Sequence, residues 1–202
     1  NRNKISGSAS RALRQLLYDF RQFEGQENLG YKKFPAERAI FETIFLRHGL
    51  YAEKDNQWRF VAPAASGSEF GKTLDTLFRI TLELLKTERD RIVTFTEIYE
   101  KIWAKPPFGI KAGLFPLFMY IFIRSYSSKI AYYRDDVFRT ELRDIDLDNF
   151  LKTPKYCGLR YLNMDLNTKA MLTDIAAIAV RFDQAPITSI DALDVARRLI
   201  AI

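Results

Sequence analysis

The chain has 202 residues, of which 48% are apolar and 16 are phenylalanine, so it can fill one large or two small cores and is not a disordered polymer. Its longest apolar run, residues 114–123, is half of the ~20 residues a bilayer span requires and is bounded by Lys111 and Arg124. A net charge of +6 is too mild and too dispersed to announce a polyanion partner: residues 1–65 hold 11 basic against 7 acidic side chains, residues 66–142 hold 12 against 10, and residues 143–202 hold 8 against 8.

Cys157 is the single cysteine, which excludes an intramolecular disulfide and a thiolate metal cluster. It reads as a small buried apolar residue of a protein kept in a reducing, cytoplasmic compartment. The chain opens on Asn1 with no signal-peptide pattern and enters a patterned region at once, so it reads as a piece of something longer.

Ser8 or Ser10 is placed to cap a first helix whose apolar face is Leu13, Leu16, Leu17 and Phe20. Residues 25–33 are polar, carry two glycines and read as a loop. Pro35 suits the first position of a second helix, with Ile40, Phe41, Ile44 and Phe45 inward and Gly49 as its C-terminal cap behind Arg47 and His48. Residues 50–53 and 58–61 flank Lys54-Asp55-Asn56-Gln57 and predict a hairpin. Pro63 opens a linker of small residues that runs to Ser68.

Phe70, Leu74, Leu77, Phe78, Thr81 and Leu85 trace one face of a long third helix. Thr94 and Glu97 have capping-box spacing and predict a helix with Phe95, Ile98, Tyr99, Ile102 and Trp103 on one side, stopped by Pro106-Pro107. Pro116 fits the first turn of the next helix, which is apolar throughout, and a hairpin over residues 130–142 follows. Residues 144–152 predict a short amphipathic helix with acids at its start, and residues 156–162 a last strand. Beyond them come a helix over residues 168–182 and another capped by Ser189.

The same supersecondary order thus recurs at residues 5–62 and 70–142. The predicted fold is mainly α with short β-hairpins, two tandem winged helix-turn-helix units and C-terminal helices. Its units are residues 1–65, 66–162 and a C-terminal helical segment at 163–202.

Candidate chemistry is sparse. Gly71-Lys72-Thr73 has the ending of a phosphate loop, but Ser66 stands where that loop needs a glycine, and the preceding strands look antiparallel. The single histidine, His48, reads as a helix-end residue. Asp135-Asp136 suits a tight turn, and Asp144, Asp146 and Asp148 lack the glycine and final glutamate of a calcium loop. No catalytic group, metal site or cofactor is expected.

A winged unit reads DNA with its second helix. Residues 114–123 offer no charge and a single hydroxyl, so that helix must be covered on all sides. Candidate nucleic-acid contacts therefore fall in the first unit: Lys32 and Lys33 ahead of its second helix, Arg38 on the helix, and Lys54 and Arg59 in the hairpin.

Asn1-Arg-Asn-Lys-Ile-Ser, Phe34-Pro-Ala-Glu-Arg-Ala-Ile-Phe-Glu, Trp58-Arg-Phe-Val, Pro106-Pro-Phe-Gly-Ile-Lys-Ala-Gly-Leu-Phe-Pro-Leu and Val137-Phe-Arg-Thr-Glu-Leu142 occur here in this order. Together they resemble a segment of very large bacterial P-loop ATPases from phage-defence islands, of the BREX and phage-growth-limitation type. The likeness covers about residues 1–162. It implies a non-catalytic winged-helix region following an ATPase module. The implied partners are other domains of the parent ATPase, a protein partner or duplex DNA, and no membrane. The matched motifs are architectural and carry over no functional residues.

Overall fold

A computed structural model describes residues 6–162 of the chain. The predicted helices at 168–182 and after Ser189, and the C-terminal segment 163–202, lie outside the described residues.

Helix α1, Gly7–Gln22, is capped by Ser6, not by Ser8 or Ser10: the Ser6 backbone is extended and its hydroxyl accepts from Ala9 N, whereas both later serines are already helical. Leu13, Leu16, Leu17 and Phe20 are buried as their spacing predicts. In the loop that follows, Asn28 and Leu29 take left-handed backbone and Leu29 is buried. Pro35 stands one place earlier than expected, as the extended residue before α2, Ala36–Phe41.

Helix α2 then widens into a π turn over Glu42–Leu46, and Gly49 at φ +67° ends it. A side chain at Gly49 would also meet Ser66 O at 2.9 Å, so only glycine fits there. Strands β1, Tyr51–Lys54, and β2, Gln57–Phe60, form an antiparallel pair joined by Asp55-Asn56, both at positive φ as a type I′ turn requires.

Helix α3, Glu69–Thr87, buries Leu74, Leu77, Phe78, Thr81, Leu82 and Leu85. A two-residue strand β3, Val93–Thr94, leads into α4, Phe95–Ile98, whose capping box is formed in both directions: Glu97 N donates to Thr94 Oγ1 at 3.2 Å and Thr94 N to Glu97 Oε2 at 3.1 Å. This helix too widens into a π turn, Tyr99–Trp103, so the two halves share a local irregularity that spacing alone does not reveal.

Helix α5, Phe115–Ser125, carries Pro116 in its first turn and is buried from Phe115 to Ile123. Each of its faces meets different partners. Phe118 lies 5.6 Å from Phe45 of the first half, Phe122 lies 5.2 Å from Phe78 of α3, and Phe115 lies 5.0 Å from Trp103. A helix enclosed in this way can be apolar all round. The buried apolar residues from Leu13 to Leu159 form one contiguous cluster with α5 running through it.

The hairpin predicted over 130–142 is β4, Ile130–Arg134, and β5, Val137–Arg139, turning at Asp135-Asp136 with both φ positive. It is not a free two-stranded element. Helix α6, Asp144–Lys152, returns the chain, and β6, Cys157–Tyr161, inserts between β3 and β4 to give the order β3-β6-β4-β5. All pairs are antiparallel, with Val93 opposite Leu159 and Tyr132 opposite both Leu159 and Arg139. The fold is helix-rich with two small antiparallel sheets.

Candidate nucleic-acid interface

The β1–β2 ladder sorts its side chains by face. Tyr51 and Phe60 oppose each other toward the core, where the Phe20 ring lies 4.7 Å from Phe60 and 5.0 Å from Phe45. Residues one step along point the other way, which puts Lys54 and Arg59 together on the outer face. Arg59 is paired with Asp55 of the turn, and Lys54 is exposed with no ion pair among the described residues.

The Tyr51 hydroxyl positions this hairpin against the end of α1. It accepts from Gly25 N at 3.1 Å and donates to Gln26 O at 2.8 Å, and burial raises its pKa. Between hairpin and helix ends lies an open cleft of about 830 Å³, whose lining includes Lys54, Arg59, Arg21, Arg124 and Glu24. Arg21 and Arg124 close the last turns of α1 and α5. Sequence reasoning missed both. Their position at helix C-termini was the available signal, since the dipole favours cations there, but nothing local shows that two such ends converge beside one hairpin.

Arg124 holds Glu24 at 3.2 Å, while Arg21 donates to Leu142 O at 2.8 Å and to Asp144 at 2.9 Å. The cleft therefore carries four cations and one carboxylate on its lining. Lys32, Lys33 and Arg38 do not line it. Arg38 is committed within the fold: its guanidinium donates to Glu42 at 2.6 Å and to the carbonyls of Tyr31 and Lys33, and it covers the Phe34 ring at 3.9 Å. It acts as a clamp on the segment ahead of α2. Lys32 and Lys33 are exposed on that segment, without ion pairs among the described residues.

No family model, curated protein or solved structure matches this chain. The site's chemistry therefore has to be read from its own residues.

The remaining motifs have local explanations. Gly71-Lys72-Thr73 forms the first turn of α3, where Ser68 Oγ accepts from Gly71 N at 3.0 Å and donates to His48 O at 3.1 Å. Lys72 pairs with Glu69 at 2.5 Å, and a side chain at Gly71 would meet Pro63 O at 2.9 Å. The glycine permits close packing of the preceding turn. The His48 ring rests 4.7 Å from that of Phe70. Burial pushes the Cys157 thiol up to about 11. Among the described residues no group of three or more His, Cys, Asp or Glu is placed to hold a metal ion, and no helix is long and apolar enough to cross a membrane.

Proposed function

We propose that this chain is a non-catalytic, winged-helix structural and interaction module of a larger bacterial ATPase-like protein of the phage-defence type. The observation that carries the reading is the enclosure of α5. In a winged helix-turn-helix the helix before the hairpin is the one that enters a DNA groove. Here that helix is buried on every face, so it serves as the spine on which the surrounding elements pack. The element order α3, β3, α4, α5, β4 supports the winged description of the second half, with β5 and α6 as an elaboration between β4 and β6.

Fluorescence anisotropy of labelled duplex DNA tests the non-DNA part of this reading. The expected result is weak binding that vanishes at physiological salt; tight binding with a steep salt dependence would overturn it.

One observation favours a second reading, duplex DNA binding through the first unit and its hairpin. Lys54 and Arg59 share a face with the Arg21 and Arg124 cleft beside them. Under that reading, charge reversal at Lys32, Lys33, Lys54 and Arg59 lowers affinity and flattens the salt slope by about one unit per lost phosphate contact. An unchanged slope rejects it.

A further inference from the structure

Beside the open cleft, and sharing Arg21, Glu24 and Arg124 with it, lies a smaller hollow of about 230 Å³. Its lining includes Arg139, at the end of the edge strand β5. Arg139 stands opposite Tyr132, whose ring packs against Phe95 and Phe150, so the arginine is on the helix-facing side of the sheet. A charge in that position protects a sheet edge from pairing when its donors reach water. Arg139 Nε does not reach water: it is buried and has no hydrogen-bond partner.

The charges around the hollow cancel in pairs, with one left over. Arg124 is matched by Glu24 at 3.2 Å, Arg21 by Asp144 at 2.9 Å, and Glu141 by Arg143 at 2.7 Å. Arg139 has no ion pair among the described residues. With Nε sealed off, a ligand in the hollow would meet the remaining guanidinium donors of Arg139. The guanidinium fork matches both carboxylate and phosphate, and a multiply charged phosphate answers a lining with three guanidinium groups better than a single carboxylate does. Arg21 and Arg124 place two further guanidinium groups on the same lining, each shared with a carboxylate.

We propose that this hollow is a phosphate-binding site, with Arg139 as its principal ligand and Arg21 and Arg124 as supporting cations. It goes beyond both functional readings above, because a single phosphate group suffices to fill it. The phosphate can be free or small-molecule phosphate, or one link of a nucleic-acid strand that continues into the Lys54 and Arg59 cleft.

Thermal unfolding of the full chain in inorganic phosphate, against chloride at equal ionic strength, tests the proposal. A ligand that binds the native state raises the melting temperature as its concentration rises. The wild type should show a phosphate-specific rise; Arg139→Gln should weaken the affinity roughly tenfold or more, and Arg139→Lys should keep part of it. Glu24→Gln, which releases Arg124, should tighten binding. A wild type that does not respond at tens of millimolar phosphate, as an order of magnitude for a weak site, overturns the proposal. So does an Arg139→Gln variant that responds as the wild type does. Should Arg139→Gln fail to fold, an unchanged affinity in Glu24→Gln overturns it on its own.

A short single-stranded oligonucleotide then separates the sources. Displacement of inorganic phosphate by the oligonucleotide identifies a nucleic-acid backbone, and saturable phosphate binding without displacement identifies a free or small-molecule phosphate. Loss of duplex binding on reversing Lys54 and Arg59, with phosphate binding intact, would leave this site standing and separate it from the DNA reading.

Discussion

Thr81 is fully buried on α3, yet its hydroxyl is engaged twice: it donates to Leu77 O at 2.8 Å and accepts from Trp103 Nε1 at 2.9 Å. This answers the one polar demand of a buried tryptophan and ties α3 to the π turn of α4. Thr81→Val keeps the shape and orphans the indole N–H, so urea denaturation should register a loss of about 1–3 kcal/mol, while Thr81→Ser should lose less. Cys157 offers a second check. With its thiol held near 11 by burial and by the field of Asp146 and Asp135, against the Tyr132 contact, it should react with a thiol reagent at neutral pH only after denaturant is added. The apolar faces were legible in the sequence because helical spacing reports them directly. Asp19 and Asp146 were not. Each is almost fully buried, Asp19 between Gln15 and the Tyr31 hydroxyl, and Asp146 against Arg134 at 2.7 Å and Arg143 N at 2.8 Å. A carboxylate in an amphipathic helix reads as solvent-facing until its distant partner is known.

Among the elements, α6 is fastened to α1 by two carboxylates, Asp144 on Arg21 and, with more partners, Asp148. Asp148 accepts from the Tyr18 hydroxyl, meets Arg14 at 2.8 Å and reaches Lys152 at 3.0 Å. Burial pushes its pKa up, but the bonds from Tyr18 and Lys152 and the Arg14 charge outweigh that and hold it below the ordinary value. Glu97 follows the same balance, with Arg91 and Thr94 N prevailing over burial. Carboxyls depressed in the folded state add stability that is complete above their unfolded pKa of about 4 and is lost as pH falls through the lower folded values. The urea midpoint should therefore stay level from neutral pH to about 5 and fall below about 4, with a shallower fall in Asp148→Asn. Both hairpin turns, the capping box and the bounds of α6 were legible, since each depends on neighbours within a few residues. The insertion of β6 between β3 and β4 was not, because strand order depends on pairing between segments far apart in the chain.

At the scale of the whole molecule, α5 joins the two halves of the chain into one buried cluster. Phe118→Ala would open a cavity between Phe45 and Phe70, whose rings lie 5.6 and 5.9 Å from Phe118. Such a change typically costs about 3–5 kcal/mol, a large part of the ~5–15 kcal/mol available to a domain. A calorimetric scan should show one transition at a markedly lower temperature, with both halves lost together; two resolved transitions would mean that the halves are held independently. The apolar character of residues 114–123 pointed to a covered helix. That its cover comes from both halves at once follows only from the three-dimensional arrangement. The placement of β6 also bears on the order in which the chain can fold during synthesis. Val93 and Ile130 leave the ribosome well before their partners Leu159 and Tyr161, so β3 and β4 each wait with an unpaired backbone edge until β6 arrives. A nascent or truncated chain that stops short of Cys157 is therefore the form most exposed to edge-to-edge aggregation, and emergence of β6 is the step that ends that exposure.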